Sequence, residues 1–385
     1  MIFYKFKITT FFLLLASIVS LSPLIHAFSP VKGNIIYILA MLTVFLMNYS
    51  SFGVNKKCLF WCGGIYLAAI ISTIYWQQPR LLLIPTYFVL SILVISVLKE
   101  NCIKYFINII TIIILFQIFG SVIGTIYAYL GGSSSFEFLN EDGRLNKFYL
   151  LTLTNSQFEN FIRPSGFFDE PGALSFIACF VAALRYSLRM NKNITWLLLG
   201  FGFITTSVAH LMYTVLHAIE EIKNEKRVKN IIITIVILLI FSFILLKFFP
   251  VIQDIFSTLL FSRLSSDELG SDRTTALTNA IDYLDINTFM FGLDSNCAVG
   301  LSACKDKGFE NYGENPLTLL IHWGGFLSFP YYFSLFNLLI KMVKNFNFII
   351  LGIFLLLLQR PYIMSYGYSL IILLTISLIK VDSKK

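Results

Sequence analysis

ITWLLLGFGFITTSVAHLMYTVLHAIEEI, residues 194–222, decides how the chain is threaded. Taken whole, it is one apolar span. Broken near Thr205-Thr206-Ser207, it is a hairpin of two short helices. The choice matters because nearly everything around it is also apolar. The 385 residues are 57% hydrophobic and 13% charged, about half the charged fraction of a soluble domain. With a mean hydropathy of +0.78, such a chain reads as a polytopic membrane protein folded as one integral domain, 1–385.

Apolar runs of spanning length occur near 8–28, 34–52, 58–75, 81–98, 105–130, 172–189, 230–249, 315–340 and 362–380, with a shorter one at 346–359. Basic residues in short connections mark the cytoplasmic side. Lys5 and Lys7 place the N-terminus there, and counting forward does the same for Lys56-Lys57, Lys99/Lys104 and Arg189/Lys192. A single span over 194–222 would push the basic segment Lys223–Lys229 outside, against the rule; a hairpin returns it inside. Lys341, Lys344 and the C-terminal lysines then follow. The inner side collects 18 of the 29 Lys/Arg and only 5 of the 21 Asp/Glu. The expected fold is therefore all-α, with about 12 transmembrane helices and both termini cytoplasmic. The apolar run after Lys7 is longer than a secretory signal core and lacks a small-residue cleavage site, so it reads as a retained signal-anchor helix.

Two polar segments, 131–171 and 250–314, interrupt this pattern and hold 16 of the 21 carboxylates. Lipid tolerates neither irregular backbone nor unpaired charge, so both are expected in water on the outer, periplasmic face. The net charge of +8 is not a nucleic-acid signature, because the basic residues are scattered rather than gathered in a patch with aromatics. No GxxxxGK[ST], GxGxxG or HExxH pattern is present, which argues against nucleotide hydrolysis and a zinc-peptidase site. Acidic residues are nearly absent from the spans, which weakens ion-coupled transport.

In the first segment, Arg163-Pro-Ser-Gly166-Phe-Phe-Asp169-Glu170-Pro171 combines a Pro-Ser-Gly turn with a helix start, acid followed by proline. An arginine in a tight turn above a helix N-terminus suits an anion. A pair between Arg163 and Asp169 or Glu170 that staples the turn fits the same residues. In the second segment, Ile252 to Arg263 has the spacing of a helix lying on the membrane surface. Another helix is expected after Ser271-Asp272, with Arg273 in its first turn, where a cation opposes the helix dipole. Arg273 pairs either with an external anion or with Asp267, Glu268 or Asp272. Cys297 and Cys304 lie in this segment, and a disulfide and two free thiols are both compatible with the sequence. No histidine accompanies them, so a metal site is not expected. The segment ends near Phe291-Gly292, and the next span opens Glu314-Asn315-Pro316, with His322 two turns on and Gly324-Gly325 after it. Glu314 sits at the watery end and is the better catalytic candidate. His322, like His210 and His217, also reads as a histidine packed between helices.

Taken together, the chain resembles the O-antigen polymerase (Wzy-type) family, which is related to the O-antigen ligases. The resemblance rests on the topology, on the Arg163–Pro171 stretch with Gly166, on Arg263 and Arg273 ahead of Phe291-Gly292, and on Glu314-Asn315-Pro316 through Gly324-Gly325. It implies a GT-C-like architecture in the bacterial inner membrane and a glycosyltransferase that joins oligosaccharide repeat units carried on undecaprenyl diphosphate at the periplasmic face. It implies Arg163, Arg263 and Arg273 as diphosphate-binding residues, and a base drawn from Glu314, Glu170 and His322. Gly166, Pro171 and Asn315 would be structural parts of the motifs. The donor is already activated, so no cofactor is required. The implied partners are the lipid-linked oligosaccharide, the bilayer, a chain-length regulator and a flippase. The superfamily's ligases often carry histidine where Glu314 stands, which favours polymerase over a ligase acting on lipid A–core. A polysaccharide flippase is a third alternative.

Overall fold

The computed structural model describes residues 2–49, 56–140, 144–158, 161–224, 285–292 and 316–379, and these are mostly helical. The helices are α1 (Ile2–Ser17), α2 (Pro23–Phe28), α3 (Gly33–Asn48), α4 (Lys56–Trp76), α5 (Leu83–Val97), α6 (Glu100–Tyr129), α7 (Pro171–Ser187), α8 (Lys192–Phe201), α9 (Val208–Asn224), α10 (Ile286–Phe291), α11 (Pro316–Lys344), α12 (Phe348–Gln359) and α13 (Tyr368–Leu378). Among the described residues, α6 and the 323–344 part of α11 are long and apolar enough to cross a membrane. Six further apolar helices or helix parts have 10–17 residues. Twelve spans are thus not shown, and the run expected at 230–249 lies outside the described residues.

α7 organises the bundle. From Ala173 to Arg185 every residue is buried, as expected of a helix apolar on all sides and surrounded by others. α6, α8, α9, α12 and α13 pack around it. The expected hairpin is present: α8 ends in a 3-10 turn, Gly202–Thr205, and α9 starts at Val208. Thr206 at the tip adopts φ +50°, a left-handed conformation that is costly for a β-branched residue.

Three differences from the sequence reading have local causes. The N-terminal run is not one helix: α1 stops at Ser17, and Pro23, which has no N–H to donate, opens α2. The run at 315–340 is kinked at Gly324, with φ +68°. There the backbone of Met290 and Gly292 comes so close that a Cβ on Gly324 would collide with it. Tyr75 stacks on Phe291 at 4.1 Å, and Trp76 Nε1 donates to the Phe291 carbonyl at 2.9 Å, fixing α10 against α4 and α11.

The third difference corrects the all-α expectation. The segment between α6 and α7 forms an antiparallel sheet of β1 (Phe136–Leu139), β2 (Leu145–Tyr149) and β3 (Thr152–Thr154), followed by the hairpin β4 (Gln157–Phe158) and β5 (Phe161–Ile162). Register pairs Phe136 with Phe148, Phe138 with Asn146, and Phe148 with Leu153. Strands this short carry only two or three alternations, too few to stand out in sequence. The sheet docks on α6 at Gly120 and Gly124, where a Cβ would strike Leu151 and Thr152.

Candidate functional site

The Pro164-Ser165-Gly166 turn forms as expected. Gly166 has φ +63°, and a side chain there would meet Gln117 of α6. Ser165 Oγ donates to the carbonyls of Leu153 and Phe168, and Gly166 N donates to Thr152 Oγ1, so the turn is sewn onto β3. Pro171 is the first residue of α7 and Glu170 its N-cap.

The described contacts of the Arg163 side chain run to the α8–α9 hairpin. Its Nε donates to Thr206 Oγ1 at 2.9 Å, so the turn ahead of α7 is tied to the strained tip of the α8–α9 hairpin. Glu170 pairs instead with Arg360, 190 residues away, in the connection between α12 and α13. The Arg360 guanidinium lies across the first turn of α7, where a Cβ on Gly172 would collide with it, and it also donates to Tyr362 Oη at 3.0 Å. Burial raises the Glu170 pKa, but the charges of Arg360, Arg144 and Arg163 outweigh it and leave the carboxyl below its usual range. Asp169 is bound by amides: its Oδ1 accepts from Asn140 Nδ2 at 2.6 Å and Asn146 Nδ2 at 3.3 Å.

Arg360 is therefore paired with a carboxylate at the N-terminus of the most buried helix, and the positive charges of Arg144 and Arg163 act on the same carboxyl. A helix N-terminus disfavours cations, so Arg360 is held there by Glu170 and not by the backbone. An incoming dianion has the same sign as Glu170 and more charge, and it would find guanidinium groups and a helix dipole already oriented.

Arg144, Asn140, Asn146 and Arg360 were not among the sequence candidates. The available signal for Arg360 was an arginine followed by proline in a short connection between two apolar runs. Of the predicted site residues, Arg163, Gly166, Glu170 and Pro171 come together. His322 lies on α11, but its side chain is outside what is described. Arg263, Arg273, Glu314, Asn315, Cys297 and Cys304 also lie outside the described residues. A cavity of about 540 Å³ opens elsewhere, between α4, α10 and α11, lined by Trp61, Ile65, Met290, Phe326 and Phe329 among others. Its lining among the described residues is apolar. Comparison of the chain with protein-family models, curated proteins and solved structures finds no match.

Proposed function

We propose that the chain is a polytopic inner-membrane glycosyltransferase of the O-antigen polymerase type, joining oligosaccharide repeat units carried on undecaprenyl diphosphate at the periplasmic face. The observation that carries this reading is the Glu170–Arg360 pair laid across the first turn of α7, with the positive charges of Arg163 and Arg144 acting on the same carboxyl. The apolar cavity beside α4 suits an isoprenoid tail.

In the proposed reaction an acceptor sugar hydroxyl gives its proton to a base, and its oxygen attacks the anomeric carbon of the donor. The bond from that carbon to the phosphate oxygen breaks, and the diphosphate-lipid leaves with the electron pair. Arg360 and Arg163 stabilise the charge that develops on the diphosphate, an effect largest where donors are fixed beforehand. Glu170, ionised and paired, is too weak a base for the hydroxyl and serves to hold Arg360 until the diphosphate replaces it. That leaves Glu314 as the first candidate for the base and His322 as the second.

Deletion of the gene followed by gel profiling of surface polysaccharide tests the reading. A polymerase defect gives lipid A–core bearing a single repeat unit. Long polymer retained on the lipid carrier would mean a ligase, and repeat units held on the cytoplasmic face would mean a flippase.

A further inference from the structure

One face of the small sheet carries a strip of aromatic rings. Phe136, Phe138 and Phe148 share that face by register and alternation. The ring planes of Phe136 and Phe148 lie 23° apart at 4.8 Å, and those of Phe148 and Phe167 lie 17° apart at 6.4 Å. Phe28 closes the outer end edge-on at 5.8 Å from Phe136, and it is 67% exposed. The inner end is polar. Asn146, the register partner of Phe138, lies on the same face, and Asn140 continues the alternation just beyond β1. Both donate to Asp169 Oδ1, one residue from the Glu170–Arg360 pair. Asn146 is fully buried, and its Oδ1 has no hydrogen-bond partner.

A strip of aromatic rings running into a carboxylate and two amides has the chemistry of a saccharide site. The apolar C–H face of a sugar carries partial positive charge and complements an aromatic π surface. Its hydroxyls require acceptors and donors placed at one edge, and charged acceptors give the stronger bonds. A lipid surface fits less well, because burying the strip would carry Asp169 towards hydrocarbon. We propose that this face is a saccharide subsite, in which Phe136, Phe148 and Phe167 take a sugar ring of the substrate and Asp169, oriented by Asn140 and Asn146, takes its hydroxyls. The substrate assignment rests on the polymerase reading, and the subsite would set which repeat unit is accepted next to the diphosphate.

The test uses the full chain in phosphatidylcholine nanodiscs with two separate probes. One is inorganic pyrophosphate; the other is the oligosaccharide freed by mild acid from the lipid-linked pool of a host lacking the gene. The Phe148→Leu/Phe167→Leu variant is expected to bind the oligosaccharide about tenfold more weakly and pyrophosphate unchanged, with Phe148→Tyr/Phe167→Tyr close to wild type. Equal oligosaccharide affinity in wild type and the leucine variant, or no binding to wild type, overturns the subsite. Loss of pyrophosphate binding by wild type, with oligosaccharide binding still dependent on Phe148, refutes the diphosphate reading and leaves the subsite standing. Phe148→Trp reports on the lipid alternative. An emission change with oligosaccharide and no added quenching by brominated phosphatidylcholine supports the proposal; added quenching without a response to oligosaccharide overturns it.

Discussion

At one end of the bundle Arg163 and Arg360 sit among half-buried connections, and the partner of Arg360 is a carboxylate. At the other end Arg185 is almost fully buried, and its three hydrogen bonds go to Thr195, Thr111 and the Asn191 carbonyl. The neighbouring charges there mostly meet fold groups as well, with Glu221 Oε1 also 3.7 Å from His217 Nε2. Glu220 accepts from the Phe348 N–H at the start of α12, Glu221 accepts from Trp196 Nε1, and Lys341 donates to the last carbonyls of α13. These side chains satisfy helix ends and hold α6, α7, α8, α9, α12 and α13 in register. An anion cannot replace a carbonyl or hydroxyl that is part of the fold, but it can replace Glu170. Burial of an ionisable group therefore does not mark chemistry by itself; the identity of its partner does.

The largest expected effect follows from that contrast. Arg360→Ala should lower polymer formation by about 10²–10³-fold, the cost typical of losing one preorganised charge-stabilising group, with membrane yield unchanged. Arg185→Ala should instead destabilise the protein by about 1–3 kcal/mol through unsatisfied buried groups, read as a lower thermal midpoint in detergent. Exchange of these two outcomes would break the comparison.

Gly172→Ala is a gentler probe of the same end, since its methyl group displaces only the tip of a flexible arginine. Activity should fall by about tenfold to a hundredfold with the thermal midpoint retained, because misplacement of a positioned group is enough. Acid should weaken the contribution of the Glu170–Arg360 pair progressively. The folded-state carboxyl lies below its unfolded value, so the pair's contribution is present above the unfolded pKa and is lost as pH falls through the depressed one. Stability followed from pH 7 downward should begin to fall as the pH enters the ordinary carboxylate range and go on falling below it, and Glu170→Gln should flatten that decline. The smallest effect is expected at the hairpin tip. Thr206→Gly relieves left-handed strain of about 1 kcal/mol but removes the Oγ1 that accepts from Arg163, so stability should change little while activity declines.

Much of the frame was legible in the sequence. The charge balance of short connections required a break near Thr205–Ser207, and the helices break there. The turn at Gly166 and the helix start at Pro171 were readable because glycine and proline impose backbone geometry locally. The Glu170–Arg360 pair was not, since nothing local links residues 190 positions apart. The Asn140 and Asn146 clamp on Asp169 depended on a sheet register that short strands do not announce. The bond from Arg163 to Thr206 was hidden for a related reason, since the hairpin tip lies 43 residues further along the chain.

Under the proposed function, Arg360, held by Glu170 at the head of α7, receives the diphosphate of the lipid-linked donor. The most direct test is the surface-polysaccharide ladder of a host whose only copy carries Arg360→Ala, with membrane abundance checked by immunoblot. The account predicts lipid A–core bearing a single repeat unit at wild-type protein abundance. A ladder of long chains with the wild-type length distribution would contradict it.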